Sequence, residues 1–320
     1  MKWESRVTTL LDIQFPIVQG GLAYLAYSEL AAAVSNAGGL GQITAMSLES
    51  PEALRTEIQK TRQLTTKPFG VNFAIGQFND TYPAYLDVAI NEQVPVISIT
   101  GGNPAPLFEQ LEKSNSSAKK LVLVAAKRQA LKAEQLGADA VIVVGQEGGG
   151  HLGRQDVGTF VLIPQVVDAV KIPVIASGGI ADGRGLMAAF ALGAEGIEMG
   201  TRFIAVQECV HATDIYKQAL LAGTENDTVV IKRTLGAPAR AIKNKWTDKI
   251  LDLEKNGTDF KTLQPYINRD ANKRYIYDGN VNEGFAWAGQ AMGLIQDIPT
   301  VEELMTRIIK EAESIQKKWM

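Results

Sequence analysis

Short apolar runs rich in Val and Ile recur along the 320-residue chain at roughly regular intervals, and stretches of helical periodicity separate them. Eight runs stand out: 16–19, 39–43, 69–74, 94–100, 121–125, 140–145, 172–177 and 196–200. Most show no alternation of apolar and polar positions, which is the pattern of strands buried on both faces of a parallel sheet. Between them 28–36, 51–63, 127–136 and 182–192 read as helices, the last with Asp182 placed as N-cap and Gly193 as the residue just past its end.

Alternation of this kind fits either a closed barrel or an open doubly wound sheet. Glycines and polar residues follow nearly every run: Gly20-Gly21, Asn72, Gly101-Gly102-Asn103, Gly148-Gly149-Gly150-His151, Gly178-Gly179 and Gly200-Thr201. An open sheet would gather such residues at one switch point, whereas an eight-fold barrel builds its site from all the loops on one rim. The distribution predicts an α/β protein, a (β/α)8 TIM barrel. After Phe203 the chain becomes more polar, with Lys243-Asn244-Lys245 and Arg269-Asp270 clusters. That change predicts a small, mostly helical lid subdomain over 211–284, inserted near the C-terminus of a barrel domain made of 1–210 plus 285–320. The segment 301–318 is amphipathic, with Leu304, Ile308, Ile309 and Ile315 on one side, and predicts a final helix.

Composition narrows the partners. Hydrophobic residues make up 46% and charged residues 21%, with 32 basic against 35 acidic side chains and a net charge of −3. Neither a nucleic-acid footprint nor a membrane surface is expected of such a chain. One cysteine, Cys209, excludes an intrachain disulfide framework and points to a reducing, cytoplasmic setting. Met1-Lys2-Trp3-Glu4-Ser5-Arg6 leads into no apolar segment, so no signal peptide is expected, and no run has the length of a membrane span.

Two loops have the make-up of a phosphate site: Ser177-Gly178-Gly179-Ile180 after the seventh run and Met199-Gly200-Thr201-Arg202 after the eighth. Barrels commonly bind phosphate there, where glycine lets backbone N–H groups approach an anion and Thr201 can add a hydroxyl. Neither loop has the spacing of a dinucleotide fingerprint or a P-loop. Beyond the sixth run, Gln146-Glu147-Gly148-Gly149-Gly150-His151 offers a backbone able to lie against a planar ligand and carries one of only two histidines to the rim. Asn72 suits either a satisfied loop amide or a hydrogen bond to a heterocycle edge, and Gln19-Gly20-Gly21-Leu22 suits packing on a flat ring. Tyr24 and Tyr27 either line a pocket or anchor the helix that follows. Glu208 and His211 have an i, i+3 spacing with Cys209 between them, but no second ligand pair accompanies them; a surface helix start is the stronger reading, and Cys209 fits a small core group. No metal site is expected.

Taken together, Pro16-Ile17-Val18-Gln19-Gly20-Gly21, Gly38-Gly39-Leu40-Gly41, Gly70-Val71-Asn72, Glu147-Gly148-Gly149-Gly150-His151, Ile175-Ala176-Ser177-Gly178-Gly179-Ile180-Ala181-Asp182-Gly183-Arg184-Gly185 and Met199-Gly200-Thr201 resemble the nitronate monooxygenase (2-nitropropane dioxygenase-like) family. Flavin-dependent enoyl-ACP reductases are close relatives, and Gly289-Gln290 with Gly293-Leu294-Ile295 continue the likeness. The resemblance implies an FMN-binding barrel with a lid. The FMN phosphate would sit on Gly178, Gly179, Gly200 and Thr201, and the ring against Gly20, Gly21 and Leu22, with Asn72, Gly149 and Gly150 in contact. His151 matches the family's active-site histidine, a hydrogen-bond partner for a nitronate or a base towards a neutral nitroalkane. The implied reaction is oxidation of an alkyl nitronate with dioxygen to a carbonyl compound and nitrite.

Three positions depart from the family pattern. Gly148 stands where Ala is usual, Val144 where many nitronate oxidisers carry Gln, and the connection over 75–93 is short. The last two lean towards the alternative, an NAD(P)H-dependent FMN reductase of enoyl thioesters or quinones, whereas the segment 151–159 leading to Pro164-Gln165 leans back to the oxidases. Lys232, Arg233, Arg240, Lys243 and Lys245 would form either a receptor for a phosphopantetheine or ADP group or a solvated face. A third reading is a barrel that binds a phosphate ligand without redox chemistry. The expected partner is a small-molecule substrate, and a homodimer is compatible with the sequence.

Overall fold

The computed structural model describes residues 3–76 and 81–319. In chain order the strands are β1 (Ile17–Gln19), β2 (Gly41–Thr44), β3 (Phe69–Ala74), β4 (Val96–Thr100), β5 (Lys119–Val124), β6 (Ala140–Val144), β7 (Gly150–His151), β8 (Val174–Ser177), β9 (Gly196–Met199), β10 (Thr228–Ile231) and β11 (Ala239–Ile242). Eight of them pair in parallel in the order β1-β9-β8-β6-β5-β4-β3-β2. The ring closes beside β1, where Leu40 N donates to Ile17 O and Gln19 N to Leu40 O, both at 2.9 Å. This is the (β/α)8 TIM barrel. Its strands coincide with the eight apolar runs to within two residues at each end.

Period-two alternation sorts each strand into an outward and an inward set. Outward residues such as Ile43, Val71, Ile97, Val141 and Ile197 pack under the helices in the main core. Helix Ser28–Asn36 falls where periodicity places it, and Gly183–Ala191 is capped by the Asp182 side chain on Gly185 N, with Gly193 at φ +91° just past its end. Helix Val301–Trp319 lies across Gly183, where a Cβ would come within 2.5 Å of Ile308 O.

The inward set divides by height. Val18, Leu40, Val96, Leu121, Ala140, Ile142 and Ile175 fill the N-terminal half of the barrel. Helix Arg6–Leu11 stops that end with Val7 and Leu11. Ser5 caps this helix on Thr8 N and donates to Glu195 O at 2.8 Å, which holds the stopper against β9. Nearer the C-terminal end the same faces carry Thr44, Asn72, Thr100, Ser177 and Glu198.

After β9 the chain adds helices Asp214–Ala222, Lys245–Lys255, Phe260–Ile267 and Arg269–Ile276. A three-stranded antiparallel sheet in the order β10-β11-β7 is the element that periodicity does not reveal. It joins His151 to Ala239 and Gly150 to Arg240, so the glycine loop after β6 is a strand of this sheet. Ile231, Ala241, Ile250, Leu263, Ala271 and Phe285 form a core of their own, while Tyr216 and Leu220 of helix Asp214–Ala222 join the barrel's. No helix among the described residues is long and apolar enough to cross a membrane. The short connection over 75–93 lies partly outside the described residues.

Candidate active site

At the C-terminal end of the barrel strands opens a cavity of about 1220 Å³, a figure that includes its solvent-open part. The eleven positions that the resemblance assigns to flavin or catalysis all line it: Gly20, Gly21, Leu22, Asn72, Gly149, Gly150, His151, Gly178, Gly179, Gly200 and Thr201. Tyr24 and Tyr27 do not; Tyr277 donates its hydroxyl to Tyr24 O at 2.9 Å, beside the mouth.

The floor is set by close backbone approach. A Cβ on Gly21 would lie 2.3 Å from Asn72 Oδ1, and Leu22 N donates to Thr44 Oγ1 at 3.0 Å, so the first loop lies flat on the strand ends. Asn72 Nδ2 donates to Ser98 Oγ at 2.8 Å and Thr100 Oγ1 at 3.0 Å. With both amide hydrogens used, Asn72 can offer a ligand only its carbonyl oxygen, an acceptor.

Gly178 and Gly179 hold φ of +94° and +77°, left-handed conformations that a side chain would strain. Thr159 braces their loop. Its hydroxyl lies 2.9 Å from both Gly178 O and Glu147 Oε2, and its N–H donates to Glu147 Oε2 at 2.9 Å. On the other side Gly289 N donates to Thr201 Oγ1 at 2.9 Å, which leaves the Thr201 O–H as a donor.

Glu198 carries the carboxyl of the cavity floor, and nothing in the sequence pattern singles it out. It is buried on the inward face of β9 and accepts from Ser177 Oγ at 2.9 Å. Burial pushes its pKa up to about 7 against the weaker opposing effect of the Ser177 hydrogen bond.

His151 opens into the cavity on one side and meets Lys232 on the other, with Nζ 3.0 Å from Nε2. His151 keeps an exposed edge on the cavity, and desolvation by the protein packed around it, with the Lys232 charge second, lowers its pKa to about 4. Burial also brings Lys232 down to about 8, opposed by Glu254. Trp287 stands beside both, its ring 5.8 Å from the imidazole and 5.3 Å from Nζ.

A family profile described as nitronate monooxygenase matches residues 4–84 and 76–311. The chain belongs to the nitronate monooxygenase family. It is 34% identical over 361 aligned residues to a probable nitronate monooxygenase of Staphylococcus saprophyticus subsp. saprophyticus, covering 99% of this chain and 100% of that one. It is 36% identical to a (3aS,4S,5R,7aS)-5-hydroxy-7a-methyl-1-oxo-octahydro-1H-indene-4-carboxyl-CoA dehydrogenase of Rhodococcus jostii, over 96% of this chain and 95% of that one. Among solved structures, FabK from Thermotoga maritima superposes with a TM-score of 0.92 at 40% identity, covering 99% and 98% of the two chains. A nitroalkane oxidase from Streptomyces ansochromogenes superposes with a TM-score of 0.80 at 27% identity, covering 99% and 100%.

Membership makes the chain an oxidoreductase and removes the reading of a barrel without redox chemistry. Gly148 and Val144, read above as departures from the family pattern, are neighbours: a Cβ on Gly148 would lie 2.6 Å from Val144 Cγ2. The basic residues after β9 do not form one patch. Lys232 is turned to His151, Arg233 pairs with Asp156 at 3.0 Å, and Arg240 donates to Gln146 O at 2.9 Å and Thr228 Oγ1 at 3.0 Å, while Lys243 and Lys245 are exposed. Glu208 accepts from Val301 N at 3.0 Å, and His211 packs edge-on against Tyr27. Cys209 is buried, and burial raises its thiol to about 12, as befits a core group.

Trp287, Glu198 and the Lys232 contact are what sequence reasoning missed. Lys232, which follows β10, and Trp287, bridged to Ala241 of β11, are brought beside His151 by the pairing of β7 with β11, and no local motif announces that pairing.

Proposed function

We propose that this family member is an FMN-dependent oxidoreductase that oxidises alkyl nitronates with dioxygen to a carbonyl compound and nitrite. The cavity's donors and acceptors fit FMN: the paired left-handed glycines with Gly200 and Thr201 for the phosphate, and the flat floor of Gly20, Gly21 and Leu22 with Gly149 and Gly150 for the ring. Asn72 adds an acceptor suited to a ring N–H. When bound, FMN would supply electron transfer from substrate to dioxygen.

The observation that carries the substrate class is the Lys232–His151 contact. An imidazole held neutral beside an ammonium is a poor base and a good donor, which suits a substrate that arrives already as an anion. His151 would then hold a nitronate oxygen, and the protein would act weakly on neutral nitroalkanes. Nitrite release from propionate 3-nitronate, compared with 3-nitropropionate, which still carries the proton on its nitro-bearing carbon, tests this. Turnover of the nitronate is expected to exceed that of the nitroalkane form, and no nitrite from FMN-loaded protein would remove the proposal.

A second reading, reduction of an enoyl thioester with NAD(P)H as donor, draws support from the likeness to FabK and to the carboxyl-CoA dehydrogenase. The same donor would then face an enolate oxygen. Rapid anaerobic bleaching of the flavin by NADH is its signature.

A further inference from the structure

We propose that Lys232 is a positioning residue that fixes His151 as the neutral Nδ1–H tautomer, so that the ring presents a donor to an anionic substrate and withholds a base. The proposal deepens the reading above and depends on it only for the negative charge of the substrate.

The tautomer follows from the inventory of hydrogen-bonding groups. A lysine ammonium has three N–H donors and no acceptor, so an imidazole nitrogen 3.0 Å from Nζ must itself accept. Nε2 is therefore unprotonated, and the single proton of the neutral ring sits on Nδ1. Nδ1 makes no hydrogen bond with any described residue, and the ring lines the cavity, so this N–H is the donor left for a ligand.

Both partners are held in place by their own backbones. His151 is paired in register with Ala239 of β11. Lys232 directly follows β10 at φ +64°, a left-handed conformation that a non-glycine residue adopts at a cost, and its N–H donates to Glu254 Oε2 at 2.9 Å. The backbone strain is thus stored at the residue whose side chain reaches the imidazole.

The charges around the pair come from several elements. Glu254 on helix Lys245–Lys255 faces Lys232 and also accepts from Thr234. The loop after β6 brings Glu147, bound to Thr159, Arg154, bound to Gly236 O, and Asp156, paired with Arg233. From β11 comes Arg240, bound to Gln146 O and Thr228. Apart from Glu254, each is engaged with a partner other than Lys232 or His151. Between about pH 4 and about pH 8 the pair is accordingly a cation beside a neutral ring. Above that range the neutral amine can accept as well as donate, and the lock on the tautomer loosens.

Nitrogen-15 NMR of the imidazoles in FMN-loaded protein tests the proposal, with His211→Gln identifying the resonances of His151. At pH 7 the wild type is expected to show Nδ1 protonated and Nε2 bare, with Nε2–H character growing above about pH 8. Lys232→Met should mix the tautomers and raise the pH at which the ring takes its second proton. Lys232→Arg should restore the single tautomer. In parallel, KM for the nitronate should rise roughly tenfold in Lys232→Met, the loss expected of one charge-assisted contact, and return in Lys232→Arg. An Nε2–H ring in the wild type, or an unchanged tautomer in Lys232→Met, overturns the proposal. If Lys232→Met does not fold, the wild-type pH series and Lys232→Arg decide alone, and a tautomer indifferent to pH up to 10 counts against it. Failure of nitrite release with the tautomer as described would sink the nitronate reading and leave this one standing.

Discussion

The two halves of the barrel interior are built from the same strands and differ by two residues of register. On β8, Ile175 points into the N-terminal half among Val18, Leu40 and Ile142, while Ser177 points into the C-terminal half and donates to Glu198. The lower half is apolar, closed by helix Arg6–Leu11, and has nothing to offer a ligand. Above it the same faces carry hydroxyls, an amide and a carboxyl, and they open to a cavity under glycine loops. Stability and chemistry are thus stacked along one axis, and each half tolerates what would ruin the other.

The sharpest way to break that contrast is Ile175→Asp. Its carboxylate would have no partner among the lower ring, and a loss of more than about 4 kcal/mol is expected, seen as failure to accumulate folded protein or a collapse of the urea midpoint. A carboxyl one layer higher is already accommodated at Glu198.

Glu198→Gln addresses the cost of that accommodation. The folded pKa is raised to about 7, above the ordinary carboxylate value of 4.5, so between those pH values the folded state holds a proton that the unfolded chain has released. Stability of the wild type should therefore fall as pH rises from about 4.5 to about 7 and level off beyond. Glu198→Gln should lack this slope, matching the wild type near pH 4 and exceeding it by on the order of 3 kcal/mol at pH 8. Urea denaturation across that range reads it directly, and parallel curves would contradict the assignment.

Gly148→Ala should cost about 1–3 kcal/mol by driving a methyl into Val144, and Val144→Ala in the same chain should recover most of it. Thermal melts of the two single variants and the double variant measure the coupling. Gly21→Ala is the mildest for the fold. Its Cβ forces Asn72 to shift from Ser98 and Thr100, and a near tenfold loss in flavin affinity is expected in a fluorescence titration, with global stability lowered by about 1–2 kcal/mol.

What the sequence made legible follows the same axis. Strands buried on both faces declare themselves by unbroken Val and Ile, so β3 is read to the residue and the others nearly so. Loop glycines mark the rim, which brought Gly20, Gly178 and His151 to one cavity. Helix Gly183–Ala191 was readable because Asp182 and Gly193 mark its two ends. Glu198 escaped because an inward carboxyl in a four-residue strand has no local signature, only a neighbour on β8. Lys232 looked like one basic residue among several because its partner lies 81 positions away, and the β7–β11 pairing that unites them leaves no periodic trace in a two-residue strand. The stopper helix Arg6–Leu11 is only six residues long, too short for amphipathic periodicity to emerge.

The central claim is that the polar half of the barrel holds FMN, with the His151 ring turned towards it. A crystal structure of the FMN-loaded protein tests this most directly. The account predicts the phosphate against Gly178, Gly179, Gly200 and Thr201, the ring over Gly20 and Gly21, and Lys232 still on Nε2 of His151. Flavin bound elsewhere, or an imidazole swung away from the cavity with Lys232 released, would contradict it.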